Sequence, residues 1–280
     1  MMIFRKRLWF FAIALLLYFV TPGYAMDVTL GWNANTESDL AGYKVYYKTG
    51  SSGPPYNGTG ADQGPSPRTL SVGSLGDPNN PTYTLTGLGN NEVYFFAVTA
   101  YDDGGLESDY STEVNVLSID LPQGSNLISL CRRPVDTDIA SVLSSISGKY
   151  SSVWAFIDNS WKVHDPANPG FSDLTTMEAG TGYWIDMSES ATLVISGSAP
   201  SNSINLVSGW NLVGYNSASS LAIADALASI DGIYLSVWAF IDGNWKAYDP
   251  ANPGISDLTT MEPGDGYWIN ASEACTWTLP

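Results

Sequence analysis

The sequence predicts a mainly β fold: a β-sandwich followed by two tandem copies of a small, mostly-β repeat domain with one short helix each. Two observations carry this. In the first half, short alternating apolar runs are separated by clusters of Gly, Pro, Asn and Asp, the pattern of an antiparallel sandwich. In the second half, residues 152–185 match residues 236–269 at 27 of 34 positions, an internal repeat with a period far too long for a solenoid. Ten Trp and 12% aromatic content in 280 residues supply enough apolar bulk for two or three cores.

The chain opens with Arg5, Lys6 and Arg7, then an almost unbroken apolar run from Leu8 to Val20, then small residues at Gly23 and Ala25. A basic segment, a short apolar segment and small residues at a cleavage position are expected to act as a Sec signal peptide over 1–25, placing the mature protein in the periplasm, at the cell surface or outside the cell. No later stretch reaches the ~20 apolar residues of a membrane-spanning helix.

Residues 26–117 read as the sandwich. Val28 to Trp32, Tyr43 to Tyr47, Tyr83 to Thr86 and Val93 to Tyr101 are the strand candidates, and the polar, Gly/Ser/Pro-rich stretch from Thr49 to Pro67 is expected to be a long exposed loop. An early Trp32, the run Asp39-Leu-Ala-Gly-Tyr-Lys-Val-Tyr-Tyr47, Gly87-Leu88 six residues before Tyr94, and Ala97 to Ser108 together resemble a fibronectin type III domain. The resemblance implies that Trp32 packs in the core and that Tyr94 forms a tyrosine corner. It implies little about activity, because this fold serves as spacer, adhesin and binding module alike.

Two repeat domains follow, expected over 118–198 and 199–280. Gly124-x-Asn126-Leu aligns with Gly209-Trp-Asn211-Leu at an offset of 85, and every later motif aligns at 84. Leu206 to Tyr215 is a strand candidate. Ile223, Leu227 and Ile230 recur at helical spacing before Gly232, as Ile139, Val142, Leu143 and Ile146 do before Gly148. Trp238 to Ile241 turns at Asp242-Gly-Asn and returns through Trp245 to Tyr248, a hairpin signature. Tyr267-Trp-Ile269 and Thr276 to Leu279 complete the unit. The units resemble tandem "GWNL…VWAF…GYWI" repeats of exported bacterial surface proteins, a likeness that implies no particular activity.

Charge and motif content narrow the chemistry. The net charge is −17, and loss of the leader removes three more positive charges; that field repels nucleic acid and anionic membranes. His164 is the only histidine and its counterpart is Tyr248, so histidine chemistry would exist in one copy at most. No nucleophile elbow, zinc-binding helix motif or phosphate loop occurs. The recurring acids Asp158, Asp165, Asp173 and Glu178, matched by Asp242, Asp249, Asp257 and Glu262, could serve a hydrolase, but a unit of this size leaves little room for a cleft. The expectation is a protein that is not an enzyme.

Three sets of residues remain candidates. Asp165 with Asn168, and Asp249 with Asn252, offer oxygens that suit Ca²⁺ but are equally ordinary turn chemistry. Cys131 and Cys275 lie where a disulfide is chemically allowed. Trp161, Trp245, Trp184 and Trp268, with Lys162 and Lys246 beside the first two, are the candidate ligand surface, since Trp rings stack on sugars and anchor protein contacts. The expectation is therefore a binding or adhesion protein for carbohydrate or a surface protein, with no cofactor. The alternative is a structural spacer in a cell-surface assembly.

Overall fold

A computed structural model describes residues 17–19 and 25–280. The expected signal peptide lies outside the described residues apart from Ala25 and a short strand at Leu17–Phe19. The fold is mainly β. The chain forms two compact units: residues up to Asn90 with Tyr94–Asn115, and Asn91–Val93 with Val116–Pro280.

In the first unit, β1 (Met26–Gly31) pairs antiparallel with β4 (Thr82–Leu88), and β2 (Leu40–Thr49) pairs with β3 (Arg68–Ser71) and β5 (Val93–Asp102). Met26, Val28 and Leu30 alternate into the interior, while β5 is buried on both faces from Val93 to Ala100. Period-two alternation puts one side of an outer strand in the core, and a central strand has no solvent face. Trp32 is buried, its ring edge-on to Tyr43 at 5.2 Å. The Tyr94 hydroxyl accepts the backbone N–H of Gly89 at 2.9 Å, closing a tyrosine corner.

The 49–67 loop is not simply exposed, as its composition suggests. Tyr56 and Ala61 are buried. The Glu113 carboxylate gathers the Ser52 hydroxyl, the Gly53 N–H and the Tyr56 hydroxyl, each at 2.7 Å. One large aromatic and one acceptor hub tie down a segment whose average polarity predicts solvent exposure.

β6 (Val114–Leu121) carries the chain into the second unit, which holds both repeats. Copy one contains β7 (Gly124–Ser129), α1 (Ile139–Val142), β8 (Tyr150–Ile157), β9 (Ser160–His164), β10 (Gly182–Met187) and β11 (Ala191–Ile195). Its four-stranded sheet has the order β9-β8-β10-β7, and β11 pairs with β6. Copy two repeats this with β12 (Ser203–Leu206), β13 (Gly209–Gly214), α2 (Ile223–Ala226), β14 (Tyr234–Ile241), β15 (Asn244–Tyr248), β16 (Gly266–Ala271) and β17 (Cys275–Thr278). Here the sheet order is β13-β16-β14-β15, and β17 pairs with β12.

Local chemistry explains each element. The hairpins close on two residues in the left-handed region, Asp158 and Asn159 in copy one and Asp242 and Gly243 in copy two, as a type I′ turn requires. Each helix lasts one turn before tightening into a 3₁₀ segment that ends at Ile146 or Ile230. Asp138 caps α1 by accepting from the N–H groups of Ala140 and Ser141. In copy two, Ile223, Leu227 and Ile230 join Val237, Ala239, Tyr267, Ile269 and Trp277 in one core. The indole N–H of buried Trp277 donates to the Ala226 carbonyl at 2.8 Å.

The two sheets meet through paired contacts related by the repeat offset. Ile128 bridges Asp265, and Val213 bridges Thr181. The Ser129 N–H donates to the Gly264 carbonyl at 2.7 Å, and Gly214 N–H to Gly180 at 3.1 Å. Such exchange, in which residue i meets j and the counterpart of j meets the counterpart of i, defines an isologous interface. Here it lies within one chain. Gly182 and Gly266 permit it: a Cβ on Gly182 would come within 2.9 Å of both Leu212 and the Val213 carbonyl, and one on Gly266 within 2.7 Å of the Ile128 carbonyl. We predict that Gly182→Ala or Gly266→Ala destabilises the second unit by about 1–3 kcal/mol through overpacking. Gly170→Ala and Gly254→Ala, where a Cβ meets nothing within 4 Å, should stay within about 0.5 kcal/mol of the parent in urea denaturation.

Candidate functional site

Strand alternation sorts the side chains of β8 and β14. Val153 and Ala155, like Val237 and Ala239, are fully buried on the helix-covered face. Trp154 and Phe156, like Trp238 and Phe240, point the other way, toward the seam between the repeats. There each copy contributes its β10 or β16 tryptophan to the other's hairpin. Trp268 lies 5.5 Å from Phe156 and 5.8 Å from Trp161, ring centre to ring centre, while Trp184 lies 5.2 Å from Phe240 and 5.6 Å from Trp245. Most of these contacts are tilted or edge-to-face, the favoured aromatic geometries.

The rings remain accessible. Trp161 is 48% exposed and Trp245 is 49% exposed. A cavity of about 560 Å³ is lined by Phe156, Trp161, Trp210, Trp238, Trp245 and Trp268, with no charged side chain among them. A second, of about 390 Å³, is lined by Ser125, Trp154, Trp161, Trp184 and Asp186. Trp161 belongs to both, so the two are neighbours on one aromatic surface.

The structure thus gathers Trp161, Trp245, Trp184 and Trp268, and corrects the lysines. Lys162 is the cross-strand partner of Ala155 and Lys246 that of Ala239, so both lie on the face opposite the rings. Lys162 Nζ instead pairs with Asp173 at 3.1 Å. Trp210 escaped the sequence reading although the alignment already set it against Ser125. A one-sided difference inside a shared motif was the available signal. Asp186 carried no motif and was legible only once Ser125 stood beside it.

The calcium candidates resolve as turns. Asp165 Oδ1 accepts from the N–H groups of Ala167 and Asn168, and its Oδ2 from the Asn168 amide. Asp249 Oδ1 accepts from the Ala251 N–H and its Oδ2 from the Asn252 amide. The Asn side chain beside each, and then the backbone donors, hold both carboxyls below the usual range. Asn168 and Asn252 donate inward rather than facing a cation. Among the described residues no group of three or more His, Cys, Asp or Glu could hold a metal ion. Asp173 and Asp257 likewise accept from the backbone of Val163 and Ala247, and His164 lies beside Tyr150 with its Nε2 3.4 Å from the hydroxyl.

The disulfide weighed from the sequence is not formed: both cysteines are free. Cys131 is buried at the seam, just after β7, whereas Cys275 opens the edge strand β17 opposite Leu206. Burial pushes the Cys131 thiol up to about 11, and burial, aided by Glu273, raises Cys275.

Asp265 is the counterpart of Thr181 at the seam. Burial, with Glu262 and Asp242 adding repulsion, pushes its carboxyl up to about 7. An unfolded Asp loses its proton near pH 4 while the folded chain keeps it to about 7, so stability falls as pH rises across that window.

Comparison with known proteins is uninformative at the sequence level: no family model and no curated protein matches the chain. Solved structures with some similarity include a myokine structure, at 11% identity and TM-score 0.24 over 38% of this chain and 94% of that one. The chicken CNTN1 FN1-FN3 domains align over 94% and 97% of the two chains at 12% identity and TM-score 0.25. Chitinase ChiA74 from Bacillus thuringiensis aligns at 14% identity and TM-score 0.22, over 66% of this chain and 26% of the chitinase. No helix among the described residues is long and apolar enough to cross a membrane.

Two outcomes are expected. Asp265→Asn should be close to neutral for stability near pH 4 and stabilising by on the order of 2 kcal/mol near pH 8, read from urea denaturation at each pH. Thiol titration of the unreduced protein should find both cysteines after denaturation, and only Cys275 reacting in the native state; a denatured chain without free thiols would contradict the arrangement.

Proposed function

We propose that this chain is an exported, non-catalytic binding protein whose joined repeats present an aromatic surface to carbohydrate. The observation that carries the reading is the 560 Å³ cavity lined by six aromatic rings and no charged side chain. A pocket of this volume with a lining of aromatic side chains has the character of a ligand-binding site. Flat rings stack against the C–H faces of sugars, and Trp at ligand surfaces adds large area for little conformational entropy. The strongly negative chain disfavours polyanions, and Asp165, Asp173, Asp249 and Asp257 are engaged by local backbone donors, which supports binding without turnover.

A second reading has its own support. Phe171 and Ile255 occupy equivalent loop tips of the two copies and are 84% and 85% exposed. Paired apolar tips would suit a protein neighbour in a cell-surface assembly, where the fibronectin-like unit acts as spacer.

Tryptophan fluorescence during titration with a panel of neutral oligosaccharides tests the first reading. At least one should shift the emission, and the double variant Trp161→Ala, Trp245→Ala should lose about tenfold or more in affinity, since truncating an anchoring Trp at a binding surface costs on the order of 2 kcal/mol. Silence across the panel, together with self-association in sedimentation that is lost on replacing Phe171 and Ile255 by Ser, would favour the second.

A further inference from the structure

The aromatic surface is nearly symmetric, and its departures from symmetry are concentrated. The smaller cavity is built from Ser125, Trp154, Trp161, Trp184 and Asp186. The equivalent positions in copy two are Trp210, Trp238, Trp245, Trp268 and Asn270. All three tryptophans are kept. The two positions that differ are the two that touch one another in copy one, where the Ser125 hydroxyl donates to Asp186 Oδ1.

The carboxylate is held in place. Ser152 Oγ donates to Asp186 Oδ2 at 3.1 Å, and the Trp154 indole N–H donates to Ser152 Oγ at 3.0 Å. Two hydrogen bonds leave a carboxylate with about two further acceptor directions. A fixed anion among ring faces is the arrangement that favours a cation: the rings offer their negative faces and the carboxylate a full charge. The net charge of −17 adds a long-range attraction of the same sign. Copy two has replaced the charge by Asn270 and filled the space of Ser125 with Trp210, which lies 6.3 Å from Trp268. That end can stack but has no charge to offer.

We propose that the cavity over Trp154, Trp161, Trp184 and Asp186 takes a protonated amine, as an amino sugar carries, while its counterpart in copy two takes an uncharged sugar ring. The inference rests on the reading of the aromatic surface as a carbohydrate site and specifies its ligand class. It gives the surface a direction, with a cationic residue of the ligand at one end and a neutral one at the other.

The test is calorimetric titration of the full chain with three probes at mildly acidic pH: a glucosamine oligosaccharide, the same oligosaccharide N-acetylated, and tetramethylammonium. Asp186→Asn copies the residue already present in copy two, and Asn270→Asp provides the reverse change. The glucosamine oligosaccharide should bind more tightly than its acetylated form in low salt, and this preference should shrink as salt is added. Asp186→Asn should weaken it about five- to tenfold and leave the acetylated form within about twofold. Asn270→Asp should strengthen it. Equal binding of both oligosaccharides, or indifference of the cationic one to Asp186→Asn, would overturn the amine assignment and leave the carbohydrate reading standing. Binding of tetramethylammonium that depends on Asp186, with no oligosaccharide bound, would keep the cation site and remove the carbohydrate reading. No binding of any probe would overturn both.

Discussion

The second unit depends on how closely two glycines let the repeats approach. At Gly182 and Gly266 the backbone of one copy rests against Leu212 or Leu127 and the adjoining strand of the other, with no room for a methyl group. Close-packed interiors accommodate extra volume only by moving backbone or forcing rotamers. The sequence Gly-Tyr-Trp-Ile can be read in this light. Glycine admits the neighbour, tyrosine and isoleucine fill the core of their own copy, and tryptophan reaches across into the other.

The same motif shows how polar groups are handled where space is tight. Tyr183 and Tyr267 are buried, and each hydroxyl accepts a backbone N–H from five residues upstream, Glu178 at 2.7 Å and Glu262 at 2.8 Å. Tyr94 in the first unit does likewise with Gly89. A buried phenol needs a partner, and an irregular approach to a strand leaves a donor without one. One tyrosine answers both needs, and among the described residues the solution occurs three times, once in the first unit and twice in the second. The seam is less well satisfied at Asp265, where a carboxyl sits in place of Thr181 and stays protonated nearly to neutral pH.

Much of the architecture was legible. Alternation located the strands of both units, and the Asp242-Gly-Asn signal located the hairpin, because each depends on neighbours a few residues away. The short helices also followed from spacing, although they tighten after one turn. What could not be read was anything decided by the pairing of the copies. Strand alternation places Trp154 and Phe156 together, and Trp238 and Phe240 likewise, yet which face is core depends on the helix that packs with Val237 and Ala239. The lysines beside Trp161 and Trp245 were adjacent in sequence and therefore opposite in space. Asp165 and Asp249 were ambiguous between turn and ligand until their partners were seen to be their own loop's N–H groups. The roles of Ser125 and Asp186 emerged only from a contact between strands 61 residues apart.

The fusion of the two repeats into one chain has a consequence for how the molecule can change. In a true homodimer every substitution is made twice, and both ends of a binding surface must stay alike. Joining the halves lifts that restriction while the exchanged contacts of the seam still hold them in register. Ser125 can differ from Trp210, and Asp186 from Asn270, without disturbing the glycine contacts that join the sheets. A symmetric assembly has thereby acquired a head and a tail.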